Sequence, residues 1–252
     1  MLDNFSDYVS FYPCDCSNGP TCKPQFNALD RLCHEASSDS STLVVATNAS
    51  VIPPRNMQAV SVAYFWRLGE QVLLSKAPTG QAIALDAELF AIQLGIVKAT
   101  SFDVKHIVII TDSLTAARRA VDTSVHSGQA HFLAIVQALR SFFTNHPDRS
   151  IHFWNCPSKA QWSLHFLAHE DATSTKITAG RYLATFLDAL QFKSIAAYLN
   201  TWRTSFAHPL SQGCHFLPLK GSIKNLLQPF YAKGKSWLLF IGELVTLCAR
   251  AT

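Results

Sequence analysis

The run Ile107-Val108-Ile109-Ile110, closed by Thr111-Asp112, constrains the fold more than any other stretch of the chain. A continuous apolar segment bounded by polar residues fits a strand covered on both faces, and such strands lie in sheets that carry helices above and below. The surrounding sequence supplies the other elements. Thr42-Leu43-Val44-Val45-Ala46 reads as a short buried strand. After the turn Pro53-Pro54-Arg55-Asn56, residues 59–66 and 71–75 read as two strands joined by a short link containing Gly69, hence a hairpin antiparallel to the first strand. Over residues 84–99, Leu85, Leu89, Ile92 and Ile96 fall at i, i+4, i+7 and i+11, one apolar helix face. Helices over 113–121 and 129–143, a strand over 151–156 and a helix from about residue 158 complete the block.

The predicted order is β-β-β-α-β-α-α-β-α. A meander followed by crossovers gives an α/β fold with a mixed five-stranded sheet, three antiparallel strands then parallel ones, and helices on both faces. A flavodoxin-like or receiver domain alternates strand and helix from the start, so the leading meander speaks against it. Residues 42–184 are assigned to this domain. Residues 1–41, rich in turn formers and ending in Ser37-Ser38-Asp39-Ser40-Ser41, read as an irregular leader and linker. Residues 185–252, interrupted by His208-Pro209, Pro218, Pro229 and Gly234, read as a basic extension with one or two short helices.

Composition narrows the function classes. With 252 residues, 48% hydrophobic and 15% charged, the chain is not disordered. The best apolar run, Trp237 to Ala249, is broken by Glu243 and falls short of the roughly 20 residues of a membrane span. The N-terminus carries Asp3 and Asp7 and no basic n-region, so no secretory signal is read there. With the odd number of cysteines, seven, this predicts free thiols in a reducing intracellular compartment, nucleus or cytoplasm. Cys14, Cys16, Cys22, Cys33 and His34 do not follow the paired CxxC spacing of a zinc ribbon or finger and read as incidental thiols. Net charge is +4 and uneven: residues 1–40 hold six acids against two bases, residues 185–252 seven bases against two acids. A basic tail is compatible with a polyanionic partner.

Four polar residues stand out at strand ends and on helix faces. Asp112 follows the buried run, at the carboxyl edge where open α/β sheets bind ligands, and it equally suits the N-cap of the next helix. Glu88 borders the apolar stripe of its helix, where a carboxylate is costly unless paired or bound to a metal. Asp171 lies in Ala168-His169-Glu170-Asp171-Ala172 and, alone, reads as part of a solvated helix face. Asn48 lies near the end of the first strand, where Asn is a ready turn former. His165 and His169, spaced i, i+4, can bind metal but read first as satisfied surface histidines.

These residues, in this order, resemble the type 1 ribonuclease H family. Thr47-Asn48-Ala49-Ser50 looks like its T-D-x-S strand, Asp86-Ala87-Glu88-Leu89-Phe90-Ala91 like its A-E-x-x-A helix, and Ile109-Ile110-Thr111-Asp112-Ser113 like its strand ending in T-D-S. Phe153-Trp154-Asn155-Cys156-Pro157-Ser158-Lys159, leading to His169-Glu170-Asp171-Ala172, is similar to its closing loop and helix. The C-P-S-K variant, with Trp162 and His165 after it, resembles the ribonuclease H segment of fungal non-LTR retrotransposon polyproteins, and Tyr198-Leu199-Asn200-Thr201-Trp202-Arg203 resembles the connector that follows there. The resemblance implies an endonuclease that hydrolyses the RNA strand of an RNA–DNA hybrid with two Mg²⁺ ions, Mn²⁺ also serving, as part of a larger reverse-transcriptase polyprotein. By position it assigns catalysis to Asn48, Glu88, Asp112 and Asp171, metal ligation to Glu88, Asp112 and Asp171, and substrate contacts to Ser50, Ser113, Lys159 and His165.

The sequence departs from that pattern where the bridging Asp belongs. Asn48 offers one weaker oxygen and no charge between two dications. If tight binding needs that charge, the rate falls by powers of ten, each worth about 1.4 kcal/mol of barrier. No His follows Pro157 at the usual place in the loop, leaving Lys159 or His165 to handle protons or product. Two readings result: a hybrid-cutting hydrolase impaired at Asn48, or a catalytically inactive nucleic-acid-binding module on the same fold. A proofreading exonuclease would want a D-x-E pair where this chain has Asn48-Ala49-Ser50.

Overall fold

The computed structural model describes residues 3–14, 23–52, 58–124, 128–144, 146–157 and 162–175, with 196, 197, 200 and 201. Contacts divide the chain into two units, Met1–Ala197 and Tyr198–Thr252. Every element named below belongs to the first. The boundary expected between 184 and 185, and nearly all of the expected basic extension, lie outside the described residues.

The meander is β2 (Thr42–Ile52), β3 (Gln58–Arg67) and β4 (Glu70–Gln81). Its tight turn is Leu68-Gly69, both residues at positive φ, 52° and 79°. Next come α2 (Ala84–Ala99), β5 (His106–Thr111), α3 (Leu114–Arg119), α4 (Gln129–Phe143), β6 (Ser150–Asn155) and α5 (Ser163–Ser174). β2 pairs antiparallel with β3 and parallel with β5, and β5 pairs parallel with β6. This is the mixed α/β arrangement that the periodicity predicts, three antiparallel strands and then parallel ones.

It carries one strand more. Before the meander lie a 3₁₀ turn (Asp3–Tyr8), β1 (Val9–Tyr12) and α1 (Lys23–Ser38). β1 lies parallel to β6, Val9 opposite Ile151 and Tyr12 opposite Trp154, so the sheet has six strands in the order β1-β6-β5-β2-β3-β4. The expectation of an irregular leader is corrected here. Four residues are too short for a periodic signal, but the free edge of β6 offers unpaired backbone groups. Phe11 on Phe153 and Tyr12 on Trp154 stack at 5.1 and 4.3 Å across that edge.

Alternation along the strands divides the core. Leu43, Val45, Ile107, Ile109, Ile151 and Phe153 face the layer of α2, α3 and α4, whereas Val44, Ala46, Val108 and Ile110 face α1 and α5. Gly95 brings α2 close to β2: a Cβ there would stand 3.1 Å from Thr47 Cγ2 and 3.2 Å from Val45 Cγ1. β2 continues along β3 to Ile52, but its pairing with β5 ends at Ala46 opposite Ile110. Asn48 therefore lies on β2 just beyond the last paired residues of β5. Among the described residues no helix is long and apolar enough to cross a membrane.

Candidate active site

Strand alternation sends Asn48 to the same face as Val44 and Ala46, the face that α5 covers. Only 1% of Asn48 is exposed. Its Nδ2 donates to His165 Nε2 at 3.2 Å, and its Oδ1 is buried with no hydrogen-bond partner. An amide NH₂ only donates, so in this arrangement the imidazole accepts at Nε2 and is neutral. Burial, and His169 nearby, push His165 down to about 4, consistent with that neutral state. His165 is itself 1% exposed and shares the sheet-facing stripe of α5 with Leu164, Ala168 and Ala172. The expectation of a surface histidine is corrected: the stripe at i, i+3 and i+7 from His165 was the signal in the sequence.

Glu88, on the second turn of α2, reaches over the sheet to the backbone just after Asn48. Ala49 N–H donates to its Oε1 at 2.9 Å, while Oε2 is buried and unpartnered. Burial and the neighbouring Asp112 carboxylate hold the Glu88 carboxyl well above the usual range, the backbone donor opposing them. Asp112 is also raised, by burial, with His169 acting in the opposite direction. Asp112 does not cap the following helix: Ser113 does, its Oγ accepting from Ala116 N–H at 3.3 Å. The turn is braced by Asn155, whose Nδ2 donates to the Asp112 carbonyl at 3.2 Å, a contact that the sequence reading missed. Cys156 is buried beside it, its thiol raised to about 12 by burial and then by Asp112.

The fourth expected residue is elsewhere. Asp171 accepts from Lys76 Nζ at 2.5 Å and from the Tyr64 hydroxyl. Lys76 and Tyr64 hold its carboxyl below the usual range, and Asp171 in turn raises the Tyr64 phenol to about 12. Asp171 stands six residues beyond His165 on α5, about 9 Å of helix rise. It pins the helix to β3 and β4 instead of joining Asn48, Glu88 and Asp112. Ser50 lies half-buried on β2 opposite Val60. Lys159 falls outside the described residues.

The donor set therefore differs from four converging carboxylates. Asp112 helps to raise the Glu88 carboxyl, Asn48 is engaged by His165, and Asp171 is engaged by Lys76 and Tyr64. Among the described residues no three His, Cys, Asp or Glu side chains gather closely enough to hold a metal ion. Two Mg²⁺ ions need clustered hard oxygen ligands, and these residues as arranged do not fit them.

No protein-family model matches the sequence, and no curated protein matches it. Among solved structures the chain is similar to the N-terminal RNase H domain of a Mycobacterium tuberculosis protein, at 18% identity over 48% of this chain and 92% of that one, TM-score 0.40. It is similar to ribonuclease H1 from the halophilic archaeon Halobacterium salinarum, at 15% identity over 52% and 99%, TM-score 0.38. A third is the foamy viral protease–reverse transcriptase in complex with RNA/DNA hybrid, at 15% identity over 53% of this chain and 19% of that one, TM-score 0.41.

Proposed function

We propose that the chain is a nucleic-acid-binding module of ribonuclease H type that takes RNA–DNA hybrid and cleaves it weakly or not at all. One observation carries this reading: at the strand end where hydrolysis needs a charged bridging ligand, a neutral amide is hydrogen-bonded to a buried, neutral imidazole. Recognition would rest on phosphate contacts and on the sugar and minor-groove shape of the hybrid, which need no metal. No hydrolytic step is routed through Mg²⁺ or Mn²⁺, because the residues present do not assemble around one. The context that goes with this reading is a segment of a larger reverse-transcriptase polyprotein of a fungal retroelement, working in a reducing intracellular compartment.

The test is a labelled RNA–DNA hybrid incubated with the full chain in Mg²⁺, in Mn²⁺ and in chelator, scored for retardation and for cut RNA. Retardation in all three with little or no cutting is expected. Metal-dependent cutting with multiple turnovers would favour the second reading, a hydrolase working on Glu88 and Asp112 alone, and would overturn this one.

A further inference from the structure

The sequence pattern suggests that Asn48→Asp is the reversion that would repair the site. The structure points elsewhere, because the atom that touches Asn48 is a nitrogen of α5. We propose that Asn48 and His165 form one coupled unit that takes the place of a cation at this strand end, so that a divalent-ion site returns only when Asn48 becomes a carboxylate and the His165 imidazole is removed in the same chain. The inference rests on the reading above and concerns the same pocket.

Asn48 and His165 are both essentially excluded from water, and they join β2 to α5 across 117 residues of chain. A carboxylate at position 48 has no hydrogen to give, so the contact survives only if His165 becomes the donor, through Nε2–H of the other tautomer or through the imidazolium. Either way the new carboxylate is spent on the imidazole, which lies in van der Waals reach and stays when only Asn48 is changed. The reverse single change fails for the opposite reason. His165→Asp restores one carboxylate but leaves the neutral Asn48 amide beside it, with no second charge there to hold a dication. Only the double change leaves two carboxylates facing each other beside Glu88 and Asp112, with Glu88 Oε2 already unpartnered. Like charges so placed repel unless a cation lies between them.

Mn²⁺ is the probe, its binding followed by electron paramagnetic resonance and by the shift it produces in the thermal midpoint. The samples are the full chain, Asn48→Asp, His165→Asp and the double variant. The parent and both single variants are expected to show little binding and no midpoint shift. The double variant is expected to melt early in chelator, to recover with Mn²⁺, and to bind at least roughly tenfold tighter than either single. If it does not fold in chelator, Asn48→Asp with His165→Asn tests the same point, since it removes the imidazole without adding a second charge; it too should bind Mn²⁺ better than Asn48→Asp alone. Asn48→Asp binding as tightly as the double variant would overturn the inference, as would failure of both double variants to bind, or tight binding by the parent. Retardation of RNA–DNA hybrid in chelator, measured in parallel on the parent, reports on the proposed function separately: its loss would count against that function and leave the Mn²⁺ comparison intact.

Discussion

Glu88 holds one carboxylate oxygen on the Ala49 amide and leaves the other buried without a partner. Burial, with Asp112 beside it, raises its carboxyl well above the ordinary glutamate value. A carboxyl raised in the native state binds more protons folded than unfolded, so stability falls as pH climbs from the ordinary glutamate range through the folded pKa. His165 acts oppositely. Held down to about 4 by burial, it loses stability for the fold as pH drops from the unfolded imidazole value, about 6.5, toward 4. Comparing Glu88→Gln with the parent cancels the histidine contribution, which is common to both. The substituted chain keeps an acceptor for Ala49 N–H and is expected to melt higher than the parent at pH 7.5. That gain should shrink below about pH 5, where Glu88 starts to be protonated in both states. A gain that ignores pH, or a loss at pH 7.5, would show that the buried charge is not what this position carries. At the same scale, Asn48, Glu88 and Asp112 stand out in the sequence because each abuts an apolar pattern of clear period. The short match around Asp171 does not say that Lys76 and Tyr64 hold it, and the stripe that His165 completes depends on where α5 begins.

At the scale of elements, α1 and β1 are part of the domain and not a leader to it. The Trp162 indole N–H donates to Asp30 Oδ1 at 2.9 Å, and Gln25 Nε2 donates to the Asn155 carbonyl at 2.8 Å, so α1 is tied to both ends of the segment that leads from β6 into α5. Removing the acceptor strands an indole N–H on a side chain that is 6% exposed. Asp30→Ala is expected to cost about 1 kcal/mol in denaturant unfolding, within the ordinary range for such a bond, and Asp30→Asn to cost less because it keeps an acceptor. Equal midpoints for the parent and Asp30→Ala would mean that the contact does not hold α1 in place. On the opposite face α2 and α4 are legible because their apolar periods are long. α1 was not, since the mean hydropathy of Lys23–Ser38 is low and its buried residues Leu29 and Ala36 are few.

For the whole molecule the relevant quantity is charge. The net +4 sums an acidic N-terminal stretch of −4, a middle of +3 and a basic C-terminal stretch of +5. If phosphate contacts drive hybrid binding, log affinity should fall linearly with log salt, with a slope of about −0.9 per phosphate neutralised on a B-form duplex as the reference scale. Titrations of the full chain between low and physiological salt check this. An affinity indifferent to salt would remove the phosphate-driven part of the proposed function.

Local periodicity is written in consecutive residues, and from it alone come the meander, the buried strand at Ile107–Ile110, the α2 stripe and the α/β order. Contacts between segments far apart in the chain depend on strand register, on the phase of a helix about its axis and on the length of the loops between them. Those quantities seat β1 on β6, turn Asp171 onto Lys76 and Tyr64, and set His165 against Asn48. Asp171 and His165 lie six residues apart on one helix, and it is His165 that arrives over the strand end.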